Sequence, residues 1–140
     1  MEEVVINWWA ILGSVVAAMA IGSLWFGPLF GKMWMGLIGL TPEGMKSMKM
    51  TVAGAMFGGA VTSFLMAYVL AHIYVFASAY TGMAGVMGGL TAAFWCWLGF
   101  AVPLTAGGFL WEGKSWKLWV LTAAYWLVTL LAMGAIIGGF

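Results

Sequence analysis

The chain has 140 residues, 65% of them hydrophobic and 6% charged, with a net charge of +1. A water-soluble domain carries about 25% charged residues because its surface must face water, so five basic and four acidic side chains exclude a soluble globule of this size. The near-neutral balance also excludes a basic field for nucleic acid, which leaves a lipid bilayer as the main solvent and first partner.

Three stretches lack any acid or lysine: Val4 to Gly31, Met50 to Trp111 and Leu118 to Phe140. A helix needs about 20 apolar residues to cross the hydrocarbon core. The first and last stretches hold one span each. The middle one holds two, with a break near Ser78-Ala79-Tyr80-Thr81-Gly82. Spans are expected near 6–29, 51–77, 83–109 and 117–138 of a single transmembrane domain. The stretches do not alternate apolar and polar residues, which favours helices over barrel strands. The fold class is therefore all-α, an integral membrane bundle of four helices.

In span 1, Asn7 begins the helix and Ala10, Ser14, Ala18 and Gly22 recur at four-residue steps. Such stripes let helices approach closely in lipid. Ala18-Met19-Ala20 looks like a signal-peptidase site, but the segment before it is acidic and lacks a basic start, so span 1 is expected to be retained. Pro28 lies at its inner end.

The first connection carries Lys32, Lys46 and Lys49, and the last carries Lys114 and Lys117. Four spans put both connections on one side, and the positive-inside rule makes that side cytoplasmic. Both termini then face outward, in agreement with the acidic Glu2-Glu3 start. Thr41-Pro42-Glu43 is a helix-start signal, with a capping Thr, a Pro for the first turn and an acid at the positive helix end. The helix it starts is expected to run on into span 2. Trp8, Trp9, Trp34, Trp111 and Trp116, with Lys32, Lys114 and Lys117, read as interfacial anchors.

Span 2 has the stripe Ala55, Gly59, Ser63, Ala67. His72 lies about 33 Å along the helix from Met50, near the outer interface and at about the depth of Asn7. His72 and Asn7 form the candidate polar site, with Tyr74, Ser78 and Thr81 close in sequence. The commoner reading is an interfacial His exchanging hydrogen bonds with water. One His and one Cys cannot hold a structural zinc, which wants four ligands, and no metal or cofactor is expected.

Span 3 contains Pro103, which removes a hydrogen bond and frees the carbonyl of Gly99, so a helix kink is expected there as at Pro28. Spans 3 and 4 contribute the pairs Gly85/Gly89 and Gly134/Gly138. With 21 glycines, about three pairs at this spacing arise by chance, and the chain has four, so these pairs alone carry little. Gly31-Lys32-Met33-Trp34 and Gly113-Lys114-Ser115-Trp116 echo one another, as two parallel helix hairpins would. Shared interface chemistry gives the same letters. No carboxylate lies at mid-membrane depth, and no nucleophile–base set appears, so neither a proton-coupled cation exporter nor an enzyme is expected.

Asn7-Trp8-Trp9-Ala10, the run Leu24-Trp25-Phe26-Gly27-Pro28-Leu29-Phe30-Gly31-Lys32-Met33-Trp34, and Glu112-Gly113-Lys114-Ser115-Trp116-Lys117-Leu118-Trp119 together resemble a family of small four-span bacterial membrane proteins known only as a domain of unknown function (DUF1761). The resemblance implies a bacterial inner-membrane location and supplies no activity. Val102-Pro103-Leu104-Thr105 departs from the adjacent Pro-Thr expected of relatives. The leading expectation is a non-catalytic protein that forms a homo-oligomer or serves as a subunit of a larger membrane complex. The alternatives are a channel or carrier for a small neutral or hydrophobic solute formed between protomers, and a lipid or quinone binder, which would show a Trp-lined groove open to the bilayer.

Overall fold

The computed structural model describes residues 4–140, so Glu2 and Glu3 lie outside the described residues. The described chain is all-α, and four of its helical stretches are long and apolar enough to cross a membrane: Trp8–Leu29, Val52–Thr81, Gly85–Trp111 and Trp116–Gly139. The protein is a multi-pass membrane protein.

Side chains start three of these spans. The Asn7 side chain caps α1 (Trp8–Leu24) by accepting from the backbone N–H of Trp9 at 3.1 Å. Thr51 Oγ1 accepts from Gly54 N at 3.0 Å to start α4 (Val52–Thr81), and Ser115 Oγ accepts from Lys117 N at 3.1 Å to start α7 (Trp116–Gly139). Each cap satisfies a donor that the helix itself leaves open.

Between spans 1 and 2 lie α2 (Gly31–Ile38) and α3 (Pro42–Lys46). Thr41 caps α3 through Gly44 N at 3.0 Å. This helix does not run into span 2, contrary to the sequence expectation. It stops at Lys46, and the Ser47 hydroxyl donates back to the Gly44 carbonyl at 3.0 Å. Thr51 then starts a separate helix. A second capping residue ten positions after the first is the physical reason for the break.

Span 2 runs to Thr81, past most of the expected break. Ser78, Tyr80 and Thr81 all stay helical, and Thr81 Oγ1 donates to the Ala77 carbonyl at 2.7 Å. Gly82 makes the turn, in the left-handed region at φ 74° that favours glycine. Across this turn the Gly85 backbone N–H donates to Tyr74 Oη at 2.9 Å, tying the start of α5 (Gly85–Cys96) to span 2.

Spans 1 and 3 each contain a π turn, Trp25–Leu29 and Trp97–Ala101. Pro28 lies within the first, where Gly27 leaves helical geometry (φ −114°, ψ −106°). Pro103 lies just after the second, in the first turn of α6 (Val102–Trp111). A proline deletes one N–H donor, and a wider turn accommodates the missing bond. The Thr105 hydroxyl donates to the Ala101 carbonyl at 2.6 Å beside the second site. The halves are not superimposable letter by letter. Lys32 sits within α2, whereas Lys114 lies in a connection that Gly113 turns at φ 69°.

The tightest crossing is between α5 and α7. A Cβ added at Gly89 would strike the Gly134 carbonyl, and one at Gly138 would strike the Gly85 carbonyl. Backbone meets backbone there. In span 1, Ala10, Ser14 and Ala18 are buried, and Gly22 faces the Tyr125 hydroxyl of α7. In span 2 the stripe is buried only at its far end: Ala67 is fully buried, Gly59 meets Met19, and Ala55 is exposed.

Candidate functional site

The expected polar site around His72 is an aromatic column. Phe64, Tyr68, His72 and Phe76 follow one another at four-residue steps along α4, one above the other on a single helix face. Ring centroids of Tyr68 and His72 are 4.6 Å apart, and those of His72 and Phe76 6.4 Å. Trp8 stacks on Phe64 at 6.3 Å and on Tyr68 at 6.0 Å, which brings the start of α1 beside this column. His72 Nδ1 bonds the Tyr68 carbonyl of its own helix at 2.8 Å. Asn7 spends its side-chain oxygen on the α1 cap. Each side chain bonds the backbone of its own helix, and no hydrogen bond joins the two among the described residues.

The tryptophans divide into two kinds. Trp8, Trp9, Trp111 and Trp116 are exposed, and Lys117 Nζ lies 6.0 Å over the Trp116 ring. Trp34 packs on Phe26 at 5.2 Å. Lys32 is exposed at the start of α2. Trp97 and Trp119 instead join spans 3 and 4. Trp97 Nε1 donates to the Ala123 carbonyl at 2.7 Å, and Trp119 Nε1 to the Val102 carbonyl at 3.2 Å. These two bonds bracket the π turn of span 3.

Beside that π turn lies a groove whose place the sequence reading did not give, and of the Trp lining expected of a lipid or quinone binder it has one residue, Trp126. Up to Cys96, span 3 packs on both α4 and α7; after the turn, α6 leans on α7 rather than on α4. An open apolar groove of about 670 Å³ results. Leu65, Met66, Val69, Leu70 and Ile73 form one wall, Cys96, Phe100, Ala101, Leu104 and Thr105 the other, and Trp126 and Leu130 the floor. On α4 the lining covers about 12 Å of helix at 1.5 Å per residue. That is close to the hydrocarbon depth of one leaflet, roughly 15 Å.

A second, smaller pocket of about 260 Å³ lies between the end of α6 and the start of α7, lined by Thr105, Gly108, Phe109, Glu112, Lys114, Ser115, Leu118, Trp119 and Thr122. Lys114 and Glu112 form an ion pair at 3.3 Å across its mouth. Among the described residues, no three His, Cys, Asp or Glu side chains gather as a metal site would need.

Residues 9–138 match the model of a family described as a protein of unknown function, DUF1761. The chain belongs to this family. No curated protein and no solved structure matches it. The match runs from Trp9 in the first turn of α1 to Gly138 in the last turn of α7, so the groove and pocket of this DUF1761 chain both lie inside the shared region.

Proposed function

We propose that this DUF1761 protein is a non-catalytic membrane protein that holds a lipid chain in the groove between spans 2 and 3. The observation that carries this reading is the groove itself. It is open, almost wholly apolar in lining, and placed along the stretches that meet hydrocarbon. A lipid chain gains packing contacts in such a furrow that it lacks in a fluid bilayer, whereas water and polar solutes gain nothing from it.

The test is native mass spectrometry on protein extracted with its surrounding lipid. The wild type should retain one lipid at collision energies that strip bulk lipid. Val69→Trp, at a position on the groove wall that is 52% exposed, should fill the groove and lose that lipid. Equal retention by both would overturn the reading.

Self-association is the second reading. The stripe of span 1 and the glycine pairs of spans 3 and 4 are used within the chain, so they no longer argue for a second copy. The start of span 2 still does, because Ala55 is exposed and a Cβ at Gly58 would meet nothing. Close approach of two such faces gives the Gly58→Cys variant an intermolecular disulfide in membranes under oxidising conditions. A monomeric Gly58→Cys band would exclude this face. For orientation, we place the lysine-bearing connections in the cytoplasm of a bacterial cell and both termini outside. A reporter enzyme that works only outside the cytoplasm should be active when fused after Phe140.

A further inference from the structure

The apolar groove and the polar pocket adjoin at one shared residue, and together they make a furrow. Thr105 lines both. On α7, Thr122 of the pocket, Trp126 of the groove and Leu130 of the groove follow at four-residue steps, so they share one helix face. On span 3, Thr105 and Ala101 do the same. The furrow has an apolar shaft and, at the lysine-bearing end of the bundle, a polar foot.

The foot holds one charge of each sign. The Lys114 backbone N–H donates to the Gly108 carbonyl at 3.0 Å, which folds the connection back over the end of α6. Gly113 makes that fold possible with its positive φ. Both charged side chains then lie across Gly108: an added Cβ there would meet Lys114 Cδ at 3.5 Å and Glu112 Oε2 at 3.8 Å. The Lys114 and Glu112 side chains are 58% and 62% exposed, so both are open to an incoming group. An ion pair this exposed contributes little stability and opens readily.

Resting on the lipid-chain reading of the groove, we propose that the furrow binds a whole phospholipid whose zwitterionic head carries a primary ammonium, of the phosphoethanolamine type. Lys114 donates to the head's phosphate. Glu112 accepts from the head's ammonium. The chain lies up the shaft past Thr105 toward Trp126. A purely anionic head satisfies Lys114 but sets its phosphate beside an unanswered Glu112 carboxylate. A trimethylated head offers Glu112 no N–H to accept. Charge complementarity therefore selects the head, and the groove selects only for a chain.

The experiment uses the full chain in detergent micelles and native mass spectrometry. Phosphatidylethanolamine, phosphatidylglycerol and phosphatidylcholine with identical chains are added in pairwise competition. Wild type should retain phosphatidylethanolamine about two- to fivefold over either competitor, the scale of one exposed ion pair. Glu112→Ala, which removes the acceptor as well as the charge, should erase the preference while leaving total lipid retention in place. Lys114→Gln should weaken all three lipids. Wild-type retention without preference, or a preference that survives Glu112→Ala, would overturn the head-group assignment and leave the groove standing. Undiminished retention by Val69→Trp would instead overturn the groove. Leu104→Trp, at a lining position 78% exposed, repeats that arm should Val69→Trp misfold.

Discussion

Gly89 and Gly134 bring the backbones of α5 and α7 into direct contact, with no side chain between them. A methyl group at either position would have to occupy the space of the other's carbonyl, and a backbone atom cannot swing aside as a side-chain tip can. Gly134→Ala should therefore lower stability by about 1–3 kcal/mol, the usual cost of overpacking. Gly99→Ala is the control, since nothing lies near its missing Cβ. Thermal unfolding in detergent should separate the two variants by several degrees.

Ser14 is fully buried on the α1 stripe, and its Oγ has no hydrogen-bond partner. A buried hydroxyl without a partner costs free energy that alanine avoids. Ser14→Ala should be neutral or stabilising in the same unfolding measurement. A loss of more than about 1 kcal/mol would mean that the hydroxyl does make a bond.

Trp97 and Trp25 form a matched pair, because each opens a π turn. The Trp97 indole N–H reaches the Ala123 carbonyl, while the buried Trp25 Nε1 has no partner. Trp97→Phe should cost about 0.6–2 kcal/mol, the range for a hydrogen bond between membrane helices. Trp25→Phe should cost less. Reversal of that order would show that packing, not the bond, dominates.

The aromatic column on α4 gives His72 a packing role, tilted against Tyr68 and edge-on to Phe76. His72→Phe should preserve stability, because Tyr68 and Phe76 still find a ring between them. His72→Ala should lose about 0.5–1.5 kcal/mol, the typical worth of an aromatic pair beyond its buried area. Equal losses from the two variants would point to the bond with the Tyr68 carbonyl instead.

The four spans were legible because lipid imposes a requirement on composition that runs of uncharged residues display directly. Caps were legible where one side chain determines them, as at Thr41. The end of the helix starting at Pro42 was not, because it depends on Thr51 starting the next one. The stripe of span 1 announced close packing, yet only the fold shows that it is buried within the same chain, with Gly22 against Tyr125 of α7. The glycine pairs of spans 3 and 4, no more frequent than chance, form the closest contact of all. Periodicity counts how often small residues recur and says nothing about whether two such faces meet. The groove was not legible from its wall residues, which are the same Leu, Val and Met that face lipid elsewhere. Its one local sign is Trp97-Leu98-Gly99-Phe100 ahead of Pro103, the segment that becomes the π turn.

A π turn amounts to one residue more than the α-helix around it needs. Each such residue rotates everything downstream by roughly 100° about the helix axis. The face of span 3 that begins as Gly85, Gly89 and Ala93 against α7 is therefore not continued in phase by the second half of the helix. Phe100, Leu104 and Thr105 are turned to the furrow instead. A chain shortened by one residue within 97–101 would keep its four spans and its hydropathy. It would continue the face packed on α7 in phase through to Trp111, with these three side chains swung away from the furrow wall.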